Sequence, residues 1–187
     1  MISDFVELHP TATITLTQTT YLNLSVDRGN FRVDFVGKVE FRLKRNQGGK
    51  LAYYTQHPLL MEHEEPRIRL YINSRPADPQ ALFTDIAQGI ARVSQNCRAL
   101  PHYLFGWNLV GAVALAQQNI EEGSGVLLDF APVSIVKEVI AACEKHGVTT
   151  SFLGSLELDA SPLRKKFSVL FIGACYVIAQ QFLVRPI

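Results

Sequence analysis

The chain has 187 residues, of which 48% are hydrophobic and 19% charged. That composition excludes disorder over most of its length, because disordered segments are poor in apolar residues and rich in charge. Lysine plus arginine number 18 and aspartate plus glutamate 17, a formal net charge of +1; a nucleic-acid coat and a polybasic membrane binder both need many clustered cations and are excluded.

The length suits one domain, or two small ones sharing a core, that buries about 70% of its unfolded surface, so no metal or disulfide staple is required. Cys97, Cys143 and Cys175 are odd in number and widely spaced, unlike a disulfide framework. The opening Met1-Ile-Ser-Asp-Phe-Val-Glu lacks a basic stretch followed by an apolar one, so no secretory signal is expected. Both features point to a reducing, cytoplasmic setting.

The first 75 residues read as strands. Ile14, Leu16, Leu22, Leu24 and Val26 fall on even positions with Thr13, Thr15 and Thr17 between, the two-residue period of a strand with one buried face. Asp27-Arg28-Gly29-Asn30 supplies turn chemistry. Phe31, Val33 and Phe35 resume the alternation with Arg32 and Asp34 outward, and Gly37 marks a bulge or bend. Val39, Phe41 and Leu43 continue inward, with Glu40, Arg42 and Lys44 outward. Asn46-Gln47-Gly48-Gly49 is a second turn, and strands follow over 51–55 and 67–73. Short loops between successive strands favour an antiparallel meander.

Helices enter after residue 75. Asp78-Pro79 is a helix start, with a capping carboxylate and proline at the first helical position. Leu82, Ile86, Ile90, Val93 and Cys97 make one apolar stripe. A second helix is expected over 108–122 and closed by Gly123; it is uncharged before Glu121, so most of it should be buried. Residues 125–130 read as a strand. Pro132 opens a third helix with Ile135, Val136, Val139, Ile140 and Cys143 inward, ended by Gly147, and a strand follows over 148–153. This strand–helix–strand run is a βαβ unit with parallel strands.

Phe167 to Val184 is an 18-residue run without charge between Arg164-Lys165-Lys166 and Arg185. That is the minimum for a membrane span. Gln180, Gln181, Ser168 and Gly173 interrupt it, and its β-branched and aromatic content favours two buried strands turning near Gly173-Ala174. The expected fold class is therefore mixed α+β: an N-terminal antiparallel meander, an α/β segment with one βαβ unit, and two buried C-terminal strands. Residues 1–187 form one domain in this reading, with a β-rich half over 1–75 and a mixed half over 76–187.

No constellation spells out a chemistry. His57 and His63 beside Glu62, Glu64 and Glu65 offer metal ligands, but without helical HExxH spacing; a polar loop accounts for them. Cys97 with His102 and Cys143 with His146 would bind zinc only if the fold joined them, and Cys143 lies on an inward stripe where free cysteine is commonly buried. Ser124 stands between Gly123 and Gly125 but precedes its strand instead of ending one, the wrong context for an exposed nucleophile. No Walker or GxGxxG pattern is present. Lys38, Arg42, Lys44, Arg45 and Lys50 form a basic hairpin best read as protection of a strand edge.

Position supplies the remaining candidates. Ligands collect beyond the carboxyl ends of parallel strands, which selects Asp129 and Ser134 after one strand and Gly154 and Ser155 after the next as ligand-binding residues. The helix opening at Pro132 adds unpaired N–H groups there. The leading reading is a soluble non-catalytic module that binds a small molecule or a protein, with no cofactor, no metal, no nucleic acid and no membrane partner, and with a homodimer as its assembly. The rivals are a small metal-assisted or thiol-dependent hydrolase, using His57, His63 and Glu64 or Cys97 and His102, and a tail-anchored membrane protein.

Overall fold

The computed structural model describes residues 8–18, 21–26, 29–38, 40–42, 48–105, 109–156 and 166–187, with backbone alone for 8–18, Val26, Gly48 and Leu109. Two compact units emerge: one of Met1–Glu64 and Leu163–Ile187, the other of Glu65–Pro162. The second is thus inserted into the sequence of the first. The change of unit falls at Glu64–Glu65, ahead of the 74–79 segment where the composition shifts. Helices and antiparallel sheets together make the mixed α+β class that the sequence implies.

The first unit contains β1 (Leu8–Gln18), β2 (Tyr21–Val26), β3 (Gly29–Val36), β4 (Glu40–Arg42), β5 (Gly48–Tyr54), a tight turn over Pro58–Leu60 that runs into the single-turn α1 (Met61–Glu64), and, after the insertion, β9 (Ser168–Ile172), β10 (Cys175–Ala179) and β11 (Gln181–Pro186). These strands form one antiparallel sheet of eight, in the order β11-β3-β2-β1-β5-β9-β10-β4. The period-2 pattern places Leu22, Leu24 and Val33 on one buried face, where they meet Leu170, Ile172, Cys175 and Val177, with Phe31, Phe35, Leu51, Tyr53 and Phe182 around them. On the opposite face Tyr54, His57, Phe171 and Tyr176 are in ring contact. Strands β9 and β10 are therefore covered on both faces, which is why they read as an unbroken apolar run. Their turn falls at Gly173-Ala174.

The meander holds for β1, β2 and β3 and then stops. Strand β4 pairs with β10 at the far edge of the sheet, with Phe41 opposite Val177 and Glu40 opposite Ile178. Phe41 thus keeps the face of the core residue Val177 and Arg42 is exposed as expected, but on an edge strand the core face is left uncovered and Glu40, expected outward, is partly buried. Phe41 sits in the edge strand itself, 51% exposed and under the ammonium of Lys38. Glu40 turns toward Tyr176 and His63. Val39, Leu43, Lys44 and Arg45 lie outside the described residues. The C-terminal run holds a third strand, β11, because a bulge at Gln180 starts a new ladder on β3: Gln180 N–H reaches Val36 O at 3.0 Å while Gln181 is itself registered against Val36.

The second unit contains β6 (Arg67–Ile72), α2 (Pro79–Val93), α3 (Leu109–Glu122), β7 (Gly125–Pro132), α4 (Val133–Lys145) and β8 (Thr150–Leu153). Its sheet has the order β7-β6-β8, both outer strands antiparallel to β6. Strands β7 and β8 therefore run parallel, as the βαβ reading requires, but β6 lies between them, a split βαβ arrangement. Asp78 caps α2, accepting from Ala81 N–H at 2.9 Å. Leu82, Ile86 and Ile90 of α2 and Ile135, Val136, Val139 and Cys143 of α4 join Ile68, Leu70, Ile72, Leu127 and Leu128 in the buried core. Helix α3 is less buried than its lack of charge implies. Ala112, Ala116 and Ile120 face inward, whereas Val110, Gly111, Ala114 and Gln118 are exposed. Small residues on the inward side let it pack closely without burying its other face.

Candidate functional site

The ligand-binding candidates gather around the amino end of β6, and most are engaged there by the chain itself. Asp129 Oδ1 accepts from Arg69 Nε at 2.7 Å and is ion-paired with a terminal nitrogen of the same guanidinium, also at 2.7 Å. This bond, followed by one with Tyr71, holds the Arg69 guanidinium above its ordinary pKa. Ser134 N–H donates to Glu65 Oε2 and Ser134 Oγ–H to Glu65 Oε1, each at 2.7 Å. The amino terminus of α4, which the sequence offers to an anionic ligand, is thus filled by a carboxylate of the same unit, favourably placed for the helix dipole. Gly154 has φ 127°, and a Cβ there would come within 3.1 Å of Ile68 Cγ1 and 3.3 Å of Arg67 O. Ser155 follows it, exposed.

A feature without a sequence signal stands in the same place. Ile68 pairs with Ala131 and Leu70 with Leu128, so Arg69 faces two residues, Asp129 and Phe130. This is a β-bulge. Phe130 adopts φ 50°, the left-handed region that a bulky L-residue enters at a cost of about 1–3 kcal/mol. Phe130 is 55% exposed, and its ring lies over the Arg69 guanidinium, 4.6 Å from centroid to Cζ. Arg67 holds the Phe130 carbonyl at 2.9 Å. Across β6, Leu153 is registered against Arg69 and is 63% exposed. Phe130, Arg67, Arg69 and Leu153 form one surface around the bulge.

The same unit has a shallow cleft of about 310 Å³ lined by Arg75, Asp78, Pro79, Gln80, Phe83, Gln117 and Glu121. Gly123 makes it possible for the start of α2 and the end of α3 to lie side by side. It has φ 72°, and a Cβ there would stand 2.3 Å from Arg75 N.

The residues considered for metal or thiol chemistry go to separate partners. His57 Nδ1 accepts from Leu59 N–H at 3.2 Å, and burial lowers its pKa from the ordinary 6.5. His63 Nε2 lies 3.2 Å from Glu40 Oε2, and Tyr176 O–H donates to the other oxygen of Glu40. Glu64 Oε1 accepts from Phe167 N–H at 2.7 Å. Burial pushes the Cys143 thiol up to about 11 and raises Cys97 as well, the opposite of nucleophilic activation. His146 Nε2 is 2.8 Å from Asp85 Oδ2, shared with Lys145 Nζ at 2.7 Å; Asp85 is lowered by its bond to Lys145 and then by that to His146. Among the described residues, no three His, Cys, Asp or Glu side chains stand together as a metal-binding group. The run read as a candidate tail anchor is β9, β10 and β11, and no described helix is long and apolar enough to cross a membrane.

No protein-family model matches the sequence, and no curated protein or solved structure shows significant similarity to it.

Proposed function

We propose that the protein is a non-catalytic interaction module of the cytoplasm that docks a protein partner on the bulged surface of the second unit. One observation carries this reading: Phe130 is held at φ 50° with more than half its surface exposed. An exposed aromatic ring gains little for the fold, yet the backbone at this position is strained. Glycine would occupy it without strain. Strain maintained on a rigid strand at a solvent-facing ring marks a functional surface. An aromatic ring stacked on arginine beside an exposed leucine has the composition of an interface hot spot. The three cysteines, free of disulfides, support a reducing compartment.

The test is Phe130→Gly. Removing the ring should leave stability within about 1 kcal/mol of the parent, because the lost contacts are offset by relief of strain. Quantitative crosslinking in cells, parent against variant, should then reveal a protein whose capture depends on Phe130. A variant that melts far below the parent would give the ring a structural role and contradict the proposal. So would the same set of captured proteins in parent and variant.

A further inference from the structure

The two sheets have four edge strands, and they are not equally protected. Strand β4 has three residues and β8 four. The outer edge of β7 is occupied, since Asp129 N–H donates to Tyr103 O and Val126 O accepts from Asn119 Nδ2. Strand β11 runs six residues along β3, and none of the described residues bonds its outer edge. Ile187 N–H donates to Asn30 O, its directly opposite residue. Bonded and non-bonded pairs alternate along an antiparallel ladder. The odd-numbered residues of β11 are therefore bonded to β3, and the N–H groups of Phe182 and Val184 point away from the sheet. Pro186 falls on the outward set, where its missing N–H costs the ladder nothing.

We infer that β11 is the contact through which two copies of this chain associate. They pair antiparallel about a two-fold axis, with Val184 of one copy opposite Phe182 of the other. The occupant follows from the strand's own register. In this pairing every outward N–H of both copies meets a carbonyl. Phe182 and Val184, on the core face, make apolar cross-strand pairs that continue the core past Val184, now 60% exposed. Leu183 meets Leu183 on the axis, and Arg185, the one charged side chain of the strand, faces the neutral Gln181.

A slip of two residues fails in either direction. One puts Pro186, without an N–H, into a bonded position. The other requires the Gln180 N–H, which is already donated to Val36 O. Among the described residues no segment covers this edge, and it carries no lysine and only one charged side chain, Arg185; an isologous two-fold contact is the commonest form of self-association. This inference concerns the first unit and is independent of the Phe130 surface.

The test is sedimentation of the full chain over a range of concentrations. A concentration-dependent dimer is expected. Val184→Pro removes an outward N–H while sparing the bonds to β3. Leu183→Lys sets two cations against each other on the axis. Each should weaken dimerisation at least about tenfold while circular dichroism stays that of the parent. If Val184→Pro fails to fold, the lysine variant still decides, because mixing it with Leu183→Glu should restore a mixed dimer. A parent that stays monomeric at every concentration would overturn the inference. So would a dimer indifferent to Leu183→Lys, which would place the contact elsewhere.

Discussion

The two units solve the same problem differently. In the first, a regular sheet of eight strands covers both faces of β9 and β10, and none of the described residues bonds the outer edge of β11. In the second, a three-stranded sheet leaves one end rich in charged groups, and nearly all of them are satisfied internally: Asp129 by Arg69, Ser134 by Glu65. What stands out there is conformational, a phenylalanine in a backbone region that suits glycine. In the two units His57, His63, Glu64 and His146, residues considered for metal or thiol chemistry, each meet a group of the chain itself. The features on which the proposed contacts rest are an exposed ring and an edge that none of the described residues bonds.

Removing residues 167–187 gives the largest effect that would break this comparison. The truncation deletes β9, β10 and β11 and with them Leu170, Ile172, Cys175 and Val177 of the first unit's core. It should abolish cooperative unfolding of that unit, read by thermal melts and near-ultraviolet circular dichroism. A truncated chain that keeps a sharp melt with intact β signal would instead favour the anchor reading of this segment.

A smaller effect sharpens the second unit. Gly123→Ala places a Cβ on the Arg75 backbone at a positive φ and should cost about 2–4 kcal/mol in denaturant unfolding. A cost near zero would mean that α2 and α3 do not depend on that close approach.

The smallest effect is a slope with pH in the first unit. His57 is lowered by burial and uses Nδ1 to accept from Leu59 N–H. Between its folded value and 6.5 the unfolded chain binds a proton that the folded chain does not. Stability is therefore full above 6.5 and falls as pH drops below it, levelling once the folded-state imidazole also titrates. His57→Asn, which keeps a capping acceptor without a titrating ring, should flatten that part of the profile in melts from neutral to mildly acidic pH. A profile unchanged by the substitution would assign the slope to other groups.

Much of the fold is legible in the residues themselves. Leu22, Leu24 and Val33 announce a half-buried sheet, Asp78-Pro79 starts a helix where it should, and Val133 to Gly147 reads cleanly between two strands. Strand order was not legible, because alternation fixes a face and says nothing about neighbours. That is why Phe41 is left exposed and Glu40 partly buried once β4 crosses to the far edge. The position rule brings Asp129, Ser134 and Gly154 to one end of the second sheet. It does not foresee that Arg69 engages Asp129 and that Glu65 engages Ser134, both from far away in sequence. Phe130 carries no signal at all: in Leu-Leu-Asp-Phe-Ala-Pro it looks like one more apolar strand residue, and only the ladder reveals that it is the extra one.

The central claim is that the second unit maintains strain at Phe130 for a partner. The most direct measurement is the melting temperature of Phe130→Gly beside its captured proteins. The account predicts a melt at or near that of the parent and the loss of a specific partner. A large drop in melting temperature with the partner set unchanged would contradict it.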